Sequence, residues 1–169
     1  PAEVYYVTAK KHQERCLSLA DFENLLFVFP LYADGLPVPL MQFLKKLEQH
    51  LPDNRPTVHV LINCGFLEPE QNQIAVEMIQ YFCKKNCFPF GSVLCIGSGE
   101  AILNTPFAWI AKRAIRKLAH AIQSARPVCL HAKMPLPKKW FIRASTSYWL
   151  RYGQTYQITK AQMETMHIE

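Results

Sequence analysis

The sequence predicts an α/β fold, an open sandwich in which helices wrap a parallel sheet. Three observations carry that expectation. Apolar runs with strand character at Leu25–Pro30, Val58–Asn63 and Ser92–Gly97 alternate with stretches that repeat their apolar residues at helical spacing. Each of these runs is apolar on both faces, as strands covered above and below are, and each closes on proline, asparagine or glycine, which let the chain turn. The 169 residues are half hydrophobic and 19% charged, enough apolar material for one buried core and too little charge for a disordered chain.

Taken in order, Glu3–Thr8 (EVYYVT) has the β-branched and aromatic content of a short strand. A polar stretch, Ala9 to Arg15, leads to the strand at Leu25–Pro30. After Pro37 and Pro39, the residues Leu40, Met41, Leu44 and Leu47 form one helical stripe, with Lys45, Lys46, Glu48 and Gln49 opposite. Val58–Asn63 is the next strand. Pro69 is placed to start a helix carrying Ala75, Met78, Ile79 and Phe82 at i, i+3, i+4 and i+7. The strand at Ser92–Gly97 precedes a third helix, with Thr105 as N-cap, Pro106 at the first helical position and a stripe of Ala111, Ala114, Ile115, Leu118 and Ile122. The tail from Pro135 is aromatic: Trp140, Phe141, Tyr148, Trp149, Tyr152 and Tyr156. It predicts a helix over Pro137–Arg151 stopped by Gly153, then a last short helix opened by a capping box from Thr159 to Gln162.

Lys and Arg total 19 against 13 Asp and Glu, but the excess is lopsided. Residues 1–100 hold 8 basic and 11 acidic residues, and residues 101–169 hold 11 and 2. No apolar run reaches the ~20 residues of a membrane span, and no basic-then-apolar leader opens the chain. Six cysteines in a leader-free chain of this length suggest reduced thiols. The expectation is a cytoplasmic, one-domain protein over residues 1–169, with a helical extension from about residue 135 and no stable membrane insertion.

In open parallel sheets, ligands bind beyond the carboxyl ends of the strands. Three loops qualify: Pro30–Pro37 (PLYADGLP), Asn63–Glu68 (NCGFLE) and Gly97–Glu100 (GSGE). Their small residues let a ligand approach the backbone, and a flat heteroaromatic ligand suits them. The run from Phe27 to Leu44 (FVFPLYADGLPVPLMQFL) resembles the third strand, flavin-facing loop and following helix of the flavodoxin-like NAD(P)H-dependent FMN reductases. Asn63–Glu70 and Gly97–Ile102 resemble the next two loops of that family, in order and spacing over roughly residues 20–125. The resemblance implies a flavodoxin-like three-layer sandwich with a parallel sheet and added C-terminal helices. It implies an FMN flavoprotein, an oxidoreductase that carries hydride from NAD(P)H through the flavin to a small-molecule acceptor. By position it assigns Pro30, Leu31, Tyr32, Ala33 and Gly35 to the first ring-contacting loop, Asn63, Cys64, Gly65 and Phe66 to the second, and Gly97, Ser98, Gly99 and Glu100 to the third. Tyr32 either stacks on the ring or packs beneath its loop. The chain departs from the family at its start: no Ser/Thr-rich phosphate loop precedes the segment Val4–Thr8, which resembles the family's second strand. The expected fold is therefore incomplete at the N-terminus.

No catalytic side chain and no metal site are expected. Cys83 and Cys87 are four apart and no Cys-x-x-Cys pair occurs, so neither zinc nor an iron–sulfur cluster is expected. Cys64 reads as a small buried filler and is the one thiol worth testing for reactivity. His59 reads as a satisfied core histidine, and no histidine has the partners of a hydrolytic triad. Lys112, Arg113, Arg116 and Lys117 form a basic helix face that reads as a solvated surface, or else as one attracting anionic cofactors such as NADPH, a membrane surface or nucleic acid, and the Trp140–Tyr152 segment is amphipathic enough to cover its own sheet or a partner subunit of a homodimer. Nucleic acid is not an expected partner. The competing reading is a non-catalytic flavodoxin-like electron carrier or binding module, and a third is a basic surface-binding domain without flavin.

Overall fold

A computed structural model describes residues 2–8 and 12–165. The chain forms two compact units, residues 1–134 and residues 135–169. The first unit is an α/β fold around a four-stranded sheet that is parallel throughout, with strand order β1-β2-β3-β4: β1 (Asn24–Pro30), β2 (Thr57–Asn63), β3 (Phe90–Ile96) and β4 (Cys129–Ala132). The helices are α1 (His12–Ser18), α2 (Val38–Gln49), α3 (Gln73–Lys85), α4 (Gly99–Leu103) and α5 (Ala108–Gln123). The expected fold class holds: a layered α/β arrangement consistent with a flavodoxin-like sandwich.

The layers follow from which residues are apolar. Phe27 and Phe29 of β1, Val58, Val60 and Ile62 of β2, and Val93 and Cys95 of β3 pack in one cluster with Cys16 of α1, Leu40, Phe43, Leu44 and Leu47 of α2, and Ala75, Val76, Ile79 and Cys83 of α3. Each fully buried Leu or Ile here contributes on the order of 2 kcal/mol. The alternate β3 residues Leu94 and Ile96 are buried outside that cluster, on the side where α5 packs against β3 and β4. Burial also fixes the thiol chemistry: it pushes Cys16 up to about 11, and Cys83 and Cys95 to about 12, so none supplies thiolate at neutral pH.

His59 is the core histidine its sequence context suggested. Its ring is buried, Nδ1 accepts the Ser92 N–H at 2.8 Å, and Nε2 therefore carries the proton that it donates to Asn24 Oδ1 at 3.0 Å.

Several local expectations are corrected. Val4–Thr8 is not a strand: residues 2–6 have no regular structure, and Val7 and Thr8 form a turn. Tyr5 explains why, since its ring packs on Phe43 and its hydroxyl meets His12 Nδ1 at 2.9 Å, anchoring the segment to α1 and α2. The run at Leu25–Pro30 is not covered on both faces: Phe27 and Phe29 are buried, whereas Leu26 and Val28 (65% exposed) face away. Pro69 opens a 3-10 turn (Pro69–Asn72), and α3 follows it. Thr105 bonds Ile102 O and the Phe107 N–H, capping the turn before α5 rather than α5 itself. The sequence reading also overlooked β4 and α4.

The second unit comprises α6 (Lys138–Thr155) and α7 (Lys160–Met163). Gly153 lies inside α6 and does not end it. A Cβ there would lie 2.7 Å from Met163 Sδ, so the glycine admits α7 instead. The stop is a Schellman turn: Ile158 N–H bonds Gly153 O, Gln157 N–H bonds Gln154 O, and Gln157 takes the left-handed conformation at φ 60°. The Thr159–Gln162 capping box forms as the sequence indicated.

Burial holds the His59 imidazole below its ordinary value of 6.5, so the unfolded chain binds the proton first. Stability is expected to be full above about pH 6.5 and to fall below it, until the folded ring itself protonates. Urea midpoints measured from pH 7.5 to pH 5 should show that slope, and His59→Gln should flatten it.

Candidate functional site

The parallel ladders end in step. Pro30 pairs with Asn63 and Asn63 with Ile96, so the loops after β1, β2 and β3 leave from one rim. The ladder continues a residue past the strands: Leu31 N–H donates to Asn63 O at 2.7 Å, Cys64 N–H to Ile96 O at 3.0 Å, and Gly97 N–H to Ala132 O at 2.8 Å.

The first loop is a small hairpin. Tyr32 and Gly35 exchange backbone hydrogen bonds of 3.2 and 3.0 Å. Between them Ala33 (φ 46°) and Asp34 (φ 56°) both lie in the left-handed region, the geometry of a type I′ turn. Alanine there costs about 1 kcal/mol, a local strain held by the hairpin's two hydrogen bonds. The turn thrusts Tyr32 outward, 70% exposed, while Leu36 anchors the hairpin in the core.

The second and third loops are fastened to each other. Ser98 N–H donates to Phe66 O at 2.5 Å and Gly99 N–H to Cys64 O at 2.8 Å. A Cβ on Gly97 would run into the Leu67 carbonyl, and one on Gly99 into the Asn63 amide. Cys64 is buried, with Sγ 3.7 Å from Phe66 O and 3.6 Å from Glu68 O, and it receives the Asn72 amide at 3.4 Å. Burial pushes this thiol up despite those contacts, which makes it packing rather than a nucleophile. Asn72, fully buried, also donates to Pro69 O at 3.0 Å and pins the second loop to α3. Its Oδ1 and the Ser98 hydroxyl have no hydrogen-bond partner among the described residues.

The thirteen residues singled out from the sequence thus fall into three groups. Pro30, Tyr32, Ala33, Gly65, Phe66 and Glu100 are exposed at the rim. Leu31, Gly35 and Asn63 are half-buried, and Cys64, Gly97, Ser98 and Gly99 are buried. What the rim offers a ligand is therefore Tyr32 and Phe66 (52% exposed) beside Gly35 and Gly65. A Cβ on Gly65 would meet nothing within 4 Å, so the chain's own packing does not require glycine there. The loops carry Asp34, Glu68 and Glu100 and no Lys or Arg. Asn72 and the Leu67 carbonyl were missed by the sequence reading. A backbone oxygen has no signature in sequence, and an asparagine ahead of a helix reads as an ordinary cap.

Two shallow concavities of about 350 and 290 Å³ lie elsewhere, along α5 and β4, lined by Lys117, His120, Arg126 and Leu130 and by Trp109, Arg113 and His131. Among the described residues, no group of three or more His, Cys, Asp or Glu is placed to hold a metal ion. Comparison with protein-family models, with curated proteins and with solved structures finds no match.

The loop packing gives two expected outcomes. Gly97→Ala should lower stability by roughly 1–3 kcal/mol because a backbone carbonyl blocks the new methyl, while Gly65→Ala should change it by less than about 0.5 kcal/mol; thermal unfolding of both variants measures the difference. A thiol reagent on the native protein should modify the exposed Cys87 and Cys129 and leave Cys64 unmodified until the chain unfolds; mass mapping of the labelled peptides reads this directly.

Proposed function

We propose that the rim formed by the first two loops holds the flat ring of a flavin, and that the chain is an FMN-dependent oxidoreductase passing electrons from NAD(P)H to a small acceptor. The observation that carries this reading is the emergence of two exposed aromatic side chains, Tyr32 and Phe66, from adjacent loops at the carboxyl rim of one parallel sheet. That rim is where open α/β sheets bind ligands, and the resemblance of the same loops to flavin-facing loops supports the same choice. A bound flavin would supply the hydride chemistry, accepting from a reduced nicotinamide and passing electrons on. The chain's own residues would bind and orient the ring: Tyr32 and Phe66 give it apolar surface, and Gly35 and Gly65 leave room for it against the backbone.

The loops suit the ring better than the phosphate. With three carboxylates and no cation, they give a phosphate no charge-assisted partner. Ring contacts therefore dominate affinity. FMN and riboflavin should bind within about threefold of each other, because a phosphate salt link would separate them far more.

The carrier or binding-module reading draws on a different observation. The backbone N–H groups of Ser98 and Gly99, which a flavin's polar edge would use, are taken up by the second loop.

Flavin fluorescence quenching tests the proposal. Tyr32→Ala and Phe66→Ala should each weaken binding of FMN and of riboflavin by roughly tenfold, about 1.4 kcal/mol per aromatic contact. Unchanged affinity in both variants, or no quenching at high flavin concentration, removes the ring site. NAD(P)H oxidation in the presence of FMN then separates an enzyme from a carrier.

A further inference from the structure

Between Glu100 and Glu164 the sequence contains no acidic residue, while Lys and Arg occur eleven times. The helix α6 carries four of these eleven, as many as α5, and adds a second feature. At 100° per residue, Phe141, Ile142, Tyr148, Trp149 and Tyr152 fall within an arc of about 120°. Lys139, Arg143 and Arg151 flank or oppose that arc, while Lys138 falls inside it at the first turn and the exposed Trp140 outside it. Most of its side chains are exposed: Ile142, Tyr148, Trp149 and Tyr152 each present about half their surface to solvent. The rings are already ordered against one another, Tyr148 edge-on to Trp149 at 5.3 Å and stacked with Tyr152 at 6.3 Å. Within its unit, α7 reaches α6 at Gly153, through Met163, and leaves Tyr148 and Trp149 open.

We infer that α6 is an interfacial helix that lays its aromatic arc among the headgroups of an anionic lipid surface while its cations meet the phosphates. The observations favour a lipid surface over other partners. Tyr and Trp combine an apolar body with a polar tip and prefer the boundary between headgroup and acyl chain, and Lys and Arg on the other face add attraction to anionic lipid. A groove on another protein calls for aliphatic anchors at helical spacing, and Ile142 is the only aliphatic residue in the arc. Single-stranded nucleic acid calls for rings open to individual bases along a basic track, whereas these rings stack on each other. Among the described residues no helix is long and apolar enough to cross a membrane, so the association is peripheral. It rests on α6 alone and stands or falls independently of flavin binding.

The full chain is tested by co-sedimentation with vesicles of phosphatidylcholine alone and of phosphatidylcholine mixed with phosphatidylserine. Binding is expected to the mixed vesicles, with a blue shift of tryptophan emission and loss of binding as salt rises. The triple change Lys139→Gln, Arg143→Gln and Arg151→Gln, on exposed positions, should cut partitioning by roughly a hundredfold, at about fivefold per charge. Tyr148→Ala with Trp149→Ala should reduce binding with the far-ultraviolet circular dichroism unchanged. Three results overturn the inference. They are absence of binding to phosphatidylserine vesicles at low salt, loss of binding only when Lys112, Arg113, Arg116 and Lys117 of α5 are neutralised, and preferential capture of a single-stranded oligonucleotide that the α6 substitutions abolish.

Discussion

A single constraint orders the first unit: three parallel strands that pair residue for residue at their carboxyl ends. Because Pro30, Asn63 and Ile96 lie side by side, the three loops that follow start together. Their first N–H groups must still find acceptors, and they find them by extending the ladder one residue outward. From there the loops diverge according to their side chains. The second and third collapse onto each other because Gly97 and Gly99 carry nothing that would hold them apart, and each contact satisfies a backbone donor that burial would otherwise strand. The first loop lacks such a neighbour and closes on itself, at the cost of two left-handed residues. The rim thus has a stiff floor and a projecting hairpin.

Charge divides the chain differently from the fold. The three rim loops are acidic, while α5 and α6 belong to a stretch of 63 residues without a carboxylate, residues 101–163. Flavin and nicotinamide phosphates, the ligands of the proposed function, are anions and would gain nothing from the loops themselves. The exposed cations on α5, Lys112, Arg113, Arg116 and Lys117, raise the local concentration of anions without fixing their orientation. The proposed binding at the rim would therefore rest on rings, shape and backbone, with salt-sensitive attraction arising from the α5 cations.

How much of this was legible in the sequence depends on what each signal physically encodes. Val58–Asn63 and Ser92–Gly97 were read within two residues because a central parallel strand needs apolar residues on both faces, and composition records that need. The same signal misled at Leu25–Pro30, where Leu26 and Val28 are apolar but uncovered: composition reports what a residue is, not what lies above it. Val4–Thr8 has strand residues and no strand, because Tyr5 is worth more against Phe43 and His12 than in a ladder. β4 escaped notice because four residues are too few for a period to emerge. Gly153 was read as a stop because a glycine near a helix end usually is one. Whether a helix or a passing methionine needs the space left by a missing side chain is a tertiary fact.

The same ambiguity about glycine, once resolved by packing, sharpens the candidate site. From sequence, Gly35, Gly65, Gly97 and Gly99 looked alike: small residues in loops where a ligand approaches the backbone. The structure separates them. A side chain on Gly97 or Gly99 would strike the neighbouring loop, so their smallness is accounted for before any ligand is considered. A Cβ on Gly65 would meet nothing, and one on Gly35 would make ordinary van der Waals contact with Ala33 O and Met78 Sδ, with neither residue at positive φ. Their smallness has no internal cause, and they sit in the two loops that hold Tyr32 and Phe66 outward. Where folding does not demand a bare backbone, and two rings stand exposed beside it, the flat ligand of the proposed function would supply the demand.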